Sequence, residues 1–168
     1  MTLNKNVGRH IVGMVVEDKP GVMQRIAGMF TRRGFNIETI AVGKSETPGL
    51  SRITLSMMAD EDTLEQLTKQ LHKIVEVIRV FKMGEKSSVT RELCLVKVHV
   101  KDEGARSEVM KYSDVFKGKI VDISPSSTTI QLVGTSEKID DLLDILRPFG
   151  MKEVVRTGVV AISRDPKK

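Results

Sequence analysis

The sequence predicts an α+β protein built from two consecutive β-α-β-β-α-β units. Three observations carry this. Short apolar runs of strand character alternate with segments whose apolar residues recur at helical spacing. The same order of elements then returns in the second half, after Lys82-Met-Gly-Glu-Lys-Ser-Ser88, where apolar periodicity is lost and the chain reads as a linker. A length of 168 residues also fits two small domains.

In the first unit, His10-Ile-Val-Gly-Met-Val-Val-Glu17 is an apolar run ending at a turn, the pattern of a buried strand. Pro20 suits the first turn of a helix, where its missing N–H costs nothing. Val22, Ile26, Met29 and Phe30 then recur at helical spacing, and Gly34 supplies the stop. Phe35-Asn-Ile-Glu-Thr-Ile-Ala-Val42 follows as a strand, with turn chemistry at Glu46-Thr-Pro-Gly49. Ile53, Leu55 and Met57 alternate in the next strand. Asp60-Glu-Asp62 places acids in the first turn of a helix, where the dipole favours them, and Leu64, Leu67, Leu71 and Ile74 form its apolar face. Val75 to Phe81 closes the unit as a strand.

The second unit repeats this order. Leu93 to Val100 reads as a strand, and Ala105 to Phe116 as a helix through Val109, Tyr112 and Phe116. Ile120–Ile123 and Thr128–Val133 form a hairpin about Pro125-Ser-Ser127, and Ile139, Leu142, Leu143 and Leu146 mark an amphipathic helix. Val154 to Ile162 offers the closing strand, with Gly158 as a point of breakage. The expected organisation is two ferredoxin-like domains, 8–82 and 91–164, joined by a linker at 83–90. Each antiparallel sheet carries helices on one face only. The other face then invites a second copy or a larger partner.

Composition narrows the functional classes. The net charge of +5 is spread among acids, so no basic run marks a nucleic-acid arm or a membrane patch. Cys94 is the single cysteine, which excludes an intramolecular disulfide framework. The start Met-Thr-Leu-Asn-Lys-Asn has no apolar signal region, and no stretch approaches membrane-spanning length. The expected location is the cytoplasm, or the organelle stroma for a plant or algal source.

A catalytic constellation is missing. His10, His72 and His99 are isolated and lack metal-ligand spacing, and Cys94 sits in an apolar strand as an inert core thiol. There is no Gly-x-Gly-x-x-Gly and no phosphate loop. One segment does have a ligand-binding rationale. Asp18-Lys19-Pro20-Gly21 joins a buried strand to a helix whose first N–H groups are unpaired and partly positive. Gly21 lets a carboxylate approach the backbone, and Val22 and Met23 add apolar contact. Asn36 brings a donor and an acceptor, and Ile37 a wall for an aliphatic side chain. Pro-Gly at such a turn is also common punctuation, so the turn alone is weak evidence.

The segment His10 to Phe81, with Asp18-Lys-Pro-Gly-Val22 and Gly34-Phe-Asn-Ile37, resembles an ACT domain. The whole chain resembles the small regulatory subunits of acetolactate synthase (acetohydroxyacid synthase). Arg32-Arg-Gly-Phe-Asn-Ile-Glu38, Leu50-Ser-Arg-Ile-Thr54, Arg91-Glu-Leu-Cys-Leu-Val-Lys-Val98, Gly134-Thr-Ser-Glu-Lys-Ile-Asp140 and Arg156-Thr-Gly-Val-Val-Ala161 carry that likeness. The resemblance implies a non-catalytic chain without cofactors of its own. Its partner would be a large subunit carrying thiamine diphosphate, magnesium and FAD, which condenses pyruvate with pyruvate or 2-oxobutyrate. It further implies a homodimer through ACT domains and feedback control by valine. The effector would lie between Asp18, Lys19, Pro20, Gly21, Val22 and Met23 of one protomer and Asn36 and Ile37 of the other. Many relatives carry Asn where this chain has Asp18. An acid there either weakens a carboxylate contact or pairs with the ligand's ammonium, and leucine and isoleucine stay open beside valine.

Two other classes share some of these features. The turn fits an amino-acid sensor attached to another enzyme or to transcription, although the second half offers no helix-turn-helix. An RNA-binding module shares the element order, but it needs aromatics on the central strands. Ser51-Arg-Ile-Thr-Leu-Ser56 and the first strand have none.

Overall fold

A computed structural model describes residues 7–84 and 87–165; the linker positions Glu85 and Lys86 and the N-terminal segment 1–6 lie outside them. The described residues form two compact units, one of 7–84, 87–89 and 159–165, the other of 90–158. No helix among them is long and apolar enough to cross a membrane.

The first unit runs β1 (Gly8–Glu17), α1 (Val22–Arg33), β2 (Thr39–Lys44), β3 (Leu50–Ala59), α2 (Glu61–Leu71) and β4 (Val77–Met83), with sheet order β2-β3-β1-β4. All its pairings are antiparallel. Val12 pairs with Leu55 and Met14 with Ile53, so the apolar residues of both central strands share one face. Ile26 and Phe30 of α1 and Leu64, Leu67 and Leu71 of α2 close over that face as a single core. Asp60 caps α2 by accepting from the Thr63 N–H at 2.8 Å.

The opposite face is built differently. Gly13 pairs with Phe81, and a Cβ on Gly13 would come within 2.2 Å of that ring. Glycine therefore lets the ring lie against the sheet. The guanidinium groups of Arg52 and Arg79 sit 4.8 and 5.5 Å from the ring centroid. Thr54 and Ser56 fill the same face beside them and are buried. Its aromatic platform is thus flanked by arginines rather than open to bases.

One expected element is corrected. Phe35 to Glu38 is not strand, and β2 begins only at Thr39. The chain is still reversing there. Gly34 takes φ +67 as the C-cap of α1, the Phe35 N–H returns to the Phe30 carbonyl at 3.0 Å, and Phe35 and Ile37 pack against the core.

The second unit contains most of β5 (Ser88–His99), then α3 (Glu103–Val115), β6 (Lys119–Ser124), β7 (Ser127–Gly134), α4 (Ser136–Leu146) and β8 (Met151–Arg156), in sheet order β6-β7-β5-β8. β5 begins five residues before the expected Leu93, inside the stretch read as linker. Cys94, Val96 and Val98 face Ile130, Leu132, Val109, Ile139 and Leu142 in a second core. Asp102 and Thr135 cap α3 and α4 through the N–H groups of Ala105 and Lys138. The run Val154–Ile162 does break at Gly158, which has φ +76. Beyond it, β9 (Val160–Ser163) lies with the first unit, whereas the sequence boundaries put it in the second domain.

Glu92 is buried at the end of this sheet with its side chain 1% exposed. Arg156 donates to both of its oxygens, from Nε at 2.9 Å and Nη2 at 2.7 Å, and Ser136 Oγ donates at 3.0 Å. Arg156 Nη1 also reaches Asp140 Oδ1 at 2.6 Å. Glu92 holds the Arg156 guanidinium well above its ordinary pKa, so the arginine keeps its charge throughout the accessible pH range. Removing one member strands the other. Arg156→Ala should cost about 3 kcal/mol, read as a lower urea midpoint, while Arg156→Lys should recover part of it. Burial pushes the Cys94 thiol above its usual pKa. A thiol reagent at pH 8 should therefore leave the native chain unmodified and label Cys94 once the protein is unfolded.

Candidate effector site

The turn follows from how β1 ends. Glu17 pairs with Leu50, and the Asp18 N–H donates to the Gly49 carbonyl at 2.9 Å, so the hairpin tip between β2 and β3 holds the turn. Gly21 then adopts φ +87, a left-handed conformation that starts α1 without a side-chain cap. The other three α-helices among the described residues all have such a cap. The Val22 N–H makes a long 3.4 Å bond to the Lys19 carbonyl. The N–H groups of Met23 and Gln24 have no protein acceptor among the described residues. Space is open above this end, since nothing lies within 4 Å of where a Gly21 Cβ would sit.

Charge around the turn is already committed. Lys19 Nζ lies 2.9 Å from Glu17 Oε2, and that hydrogen bond raises the lysine's pKa. Arg25, in the next turn of α1, pairs with Glu76. The two nearby cations are thus tied to carboxylates, and anion recognition falls to backbone N–H groups. Val22 is buried in the core, while Asp18, Lys19, Pro20 and Met23 are exposed. Sequence reasoning missed Glu17, Arg25, Glu76 and the Gly49 carbonyl. Glu17 stood next to the turn, but the others arrive through strand pairing and helix packing that local patterns do not reveal.

Asn36 and Ile37 lie elsewhere. They follow the far end of α1, and its 12 residues at a rise of about 1.5 Å separate them from the turn by roughly 18 Å. Asn36 is exposed there, and Ile37 is half-buried against the core. One chain therefore does not bring the two halves of the predicted site together.

The histidines take structural partners. His10 Nε2 is 3.0 Å from the Ala59 carbonyl and His99 Nδ1 is 3.0 Å from that of Ser126. Among the described residues no group of His, Cys, Asp and Glu has metal-binding geometry.

Comparison with known proteins gives this geometry a family. Residues 12–79 match the AHAS small subunit-like ACT domain, and residues 91–165 match the small subunit of acetolactate synthase. A "probable acetolactate synthase small subunit" of Methanothermobacter thermautotrophicus is 54% identical over 158 residues, 94% of either chain. The corresponding protein of Archaeoglobus fulgidus is 44% identical over 160 residues, 95% of this chain and 99% of its own. The crystal structure of the acetolactate synthase small subunit from Thermotoga maritima superimposes with a TM-score of 0.89 at 39% identity, over 95% of this chain and 99% of that one. The chain therefore belongs to the small regulatory subunits of acetolactate synthase, with an ACT domain as its first half.

Proposed function

We propose that this chain stimulates a thiamine-diphosphate-, magnesium- and FAD-dependent large subunit and makes it responsive to a branched-chain amino acid, valine by family resemblance. The effector lies between Asp18–Met23 of one protomer and Asn36–Ile37 of a second. The carrying observation is the uncapped start of α1, with open space at Gly21 and unpaired N–H groups on Met23 and Gln24. An α-carboxylate supplies the acceptors those groups lack, and Asn36 and Asp18 suit the ammonium. The domains are read as an effector-sensing 8–82, a linker at 83–90 and a C-terminal regulatory 91–164.

A shared site requires a dimer, and β2 offers its edge. Among the described residues this strand pairs only with β3, and Ile40 and Val42 on its helix-side face are 37% and 52% exposed. A second copy laid along that edge covers them and brings its own Asn36 towards the turn.

Adding this chain to the large subunit should raise acetolactate synthesis, and valine should lower it again. Coupling of about 1–3 kcal/mol corresponds to a change of about 5- to 150-fold in affinity. Absence of both stimulation and binding to the large subunit would remove the proposal. Gly21→Asp should abolish the valine response and calorimetric valine binding while the circular dichroism spectrum stays native. Its carboxylate repels the ligand's and fills the approach, and the left-handed backbone there adds a strain of about 1 kcal/mol. Normal valine binding by that variant would place the effector elsewhere.

A further inference from the structure

We propose that Arg52 is a positioning residue that carries the state of the effector turn to the C-terminal strap, residues 159–165. The inference rests on the effector-site reading above and adds a route out of that site. The route starts at the turn, where the Asp18 N–H holds the Gly49 carbonyl. Gly49 leads directly into β3, and Arg52 is the third residue of that strand. Its Cα partner in β1 is Val15, three residues before Asp18. The hairpin tip and Arg52 therefore move with the turn as one short piece of backbone.

Arg52 faces the side of the sheet opposite the helices. Its guanidinium lies over Phe81 at 4.8 Å, and its Nη2 donates to the Ala161 carbonyl at 3.2 Å. The strap has further anchors on the same unit. The Arg164 N–H donates to the Ser87 carbonyl at 2.8 Å, and Arg164 Nε donates to the Ser88 carbonyl at 3.2 Å. Ser163 Oγ lies 3.7 Å from Met83 Sδ, and Val159 and Ala161 are buried. Apart from Arg52, these polar anchors come from the end of β4 and the start of β5. Arg52 alone among them comes from the strand whose first residue follows Gly49, the residue that holds the effector turn.

The guanidinium can do this because it is planar. The group lies over Phe81 while its Nη2 donates to the strap, and Gly13 beneath the ring leaves room for that contact. A lysine keeps the charge but not this combination. On the other side of Gly158 the chain runs straight into Arg156, which Glu92 and Asp140 fix at the end of β8. The binding of an effector at the turn shifts Gly49, Arg52 and the Ala161 carbonyl in that order.

The test separates binding from response. Wild type, Arg52→Ala, Arg52→Lys and Phe81→Leu are each titrated calorimetrically with valine, then assayed with the large subunit with and without valine. The expected result is a valine Kd within about threefold of wild type in all three variants, with basal stimulation kept. Inhibition at saturating valine should fall at least fivefold in Arg52→Ala and Arg52→Lys, and by less in Phe81→Leu. A merely structural role would lower binding, stimulation and response together, and that outcome overturns the coupling. So does an Arg52→Ala variant inhibited like wild type. If Gly21→Asp binds valine normally, or wild type binds none of valine, leucine and isoleucine, the effector-site reading fails and takes the coupling with it.

Discussion

The antiparallel register between β1 and β3 is the constraint on which the first unit depends. Val12, Met14 and Val16 share a face with Ile53, Leu55 and Met57, and a slip of one residue would turn one strand's whole set outward. The core under α1 and α2 therefore fixes the register, and the register fixes everything on the other side. It sets Arg52 opposite Val15 and Leu50 opposite Glu17, while the neighbouring β1–β4 pairing sets Gly13 against Phe81. The candidate effector turn and the Arg52 stack are thus two outcomes of one pairing, the first at its end and the second on its open face.

The length of α1 imposes the second constraint. A helix long enough to carry Ile26, Met29 and Phe30 over the sheet puts its start and end far apart compared with the size of an amino acid. The N–H groups of Met23 and Gln24 and the side chain of Asn36 serve one small ligand only when two chains contribute. Oligomeric state and effector binding are then linked by mass action, since a ligand held by two copies favours the pair over the single chain.

Much of this was legible in the sequence, for reasons that can be named. Periodicity found the helices because their apolar faces are continuous, and caps such as Asp60 and the glycine stop at Gly34 marked their ends. The order of elements within each unit followed from these periods and their repeat. Phe35 to Glu38 read as strand because Phe35 and Ile37 alternate, yet both are core anchors of a reversing chain. The strap was half legible. Gly158 marked the break, but where the residues beyond it pack depends on Arg52 meeting Ala161 and Met83 meeting Ser163 in space. Glu92, Ser136, Asp140 and Arg156 lay in three segments that carried the family resemblance, and only the fold shows that they form one ionic cluster. Charge at sequence positions that distant has no local signature.

The chemistry of the turn bears on the ligand's class. Were Lys19 or Arg25 free, the site would favour any anion, phosphate included. Both are neutralised, by Glu17 and Glu76, and what is left is a few backbone N–H groups with an exposed acid, Asp18, alongside. A dianion gains little from that arrangement and is opposed by Asp18. A zwitterion gains at both ends, its carboxylate at the helix start and its ammonium towards Asp18 or Asn36. On the proposed reading, Asp18 is one of the groups that hold the ammonium, and the carboxylate is left to the backbone N–H groups. Selectivity among valine, leucine and isoleucine then rests with the apolar residues that flank the charges, Met23 on one chain and Ile37 on the other. One methylene in such a pocket is worth only about 1–3 kcal/mol.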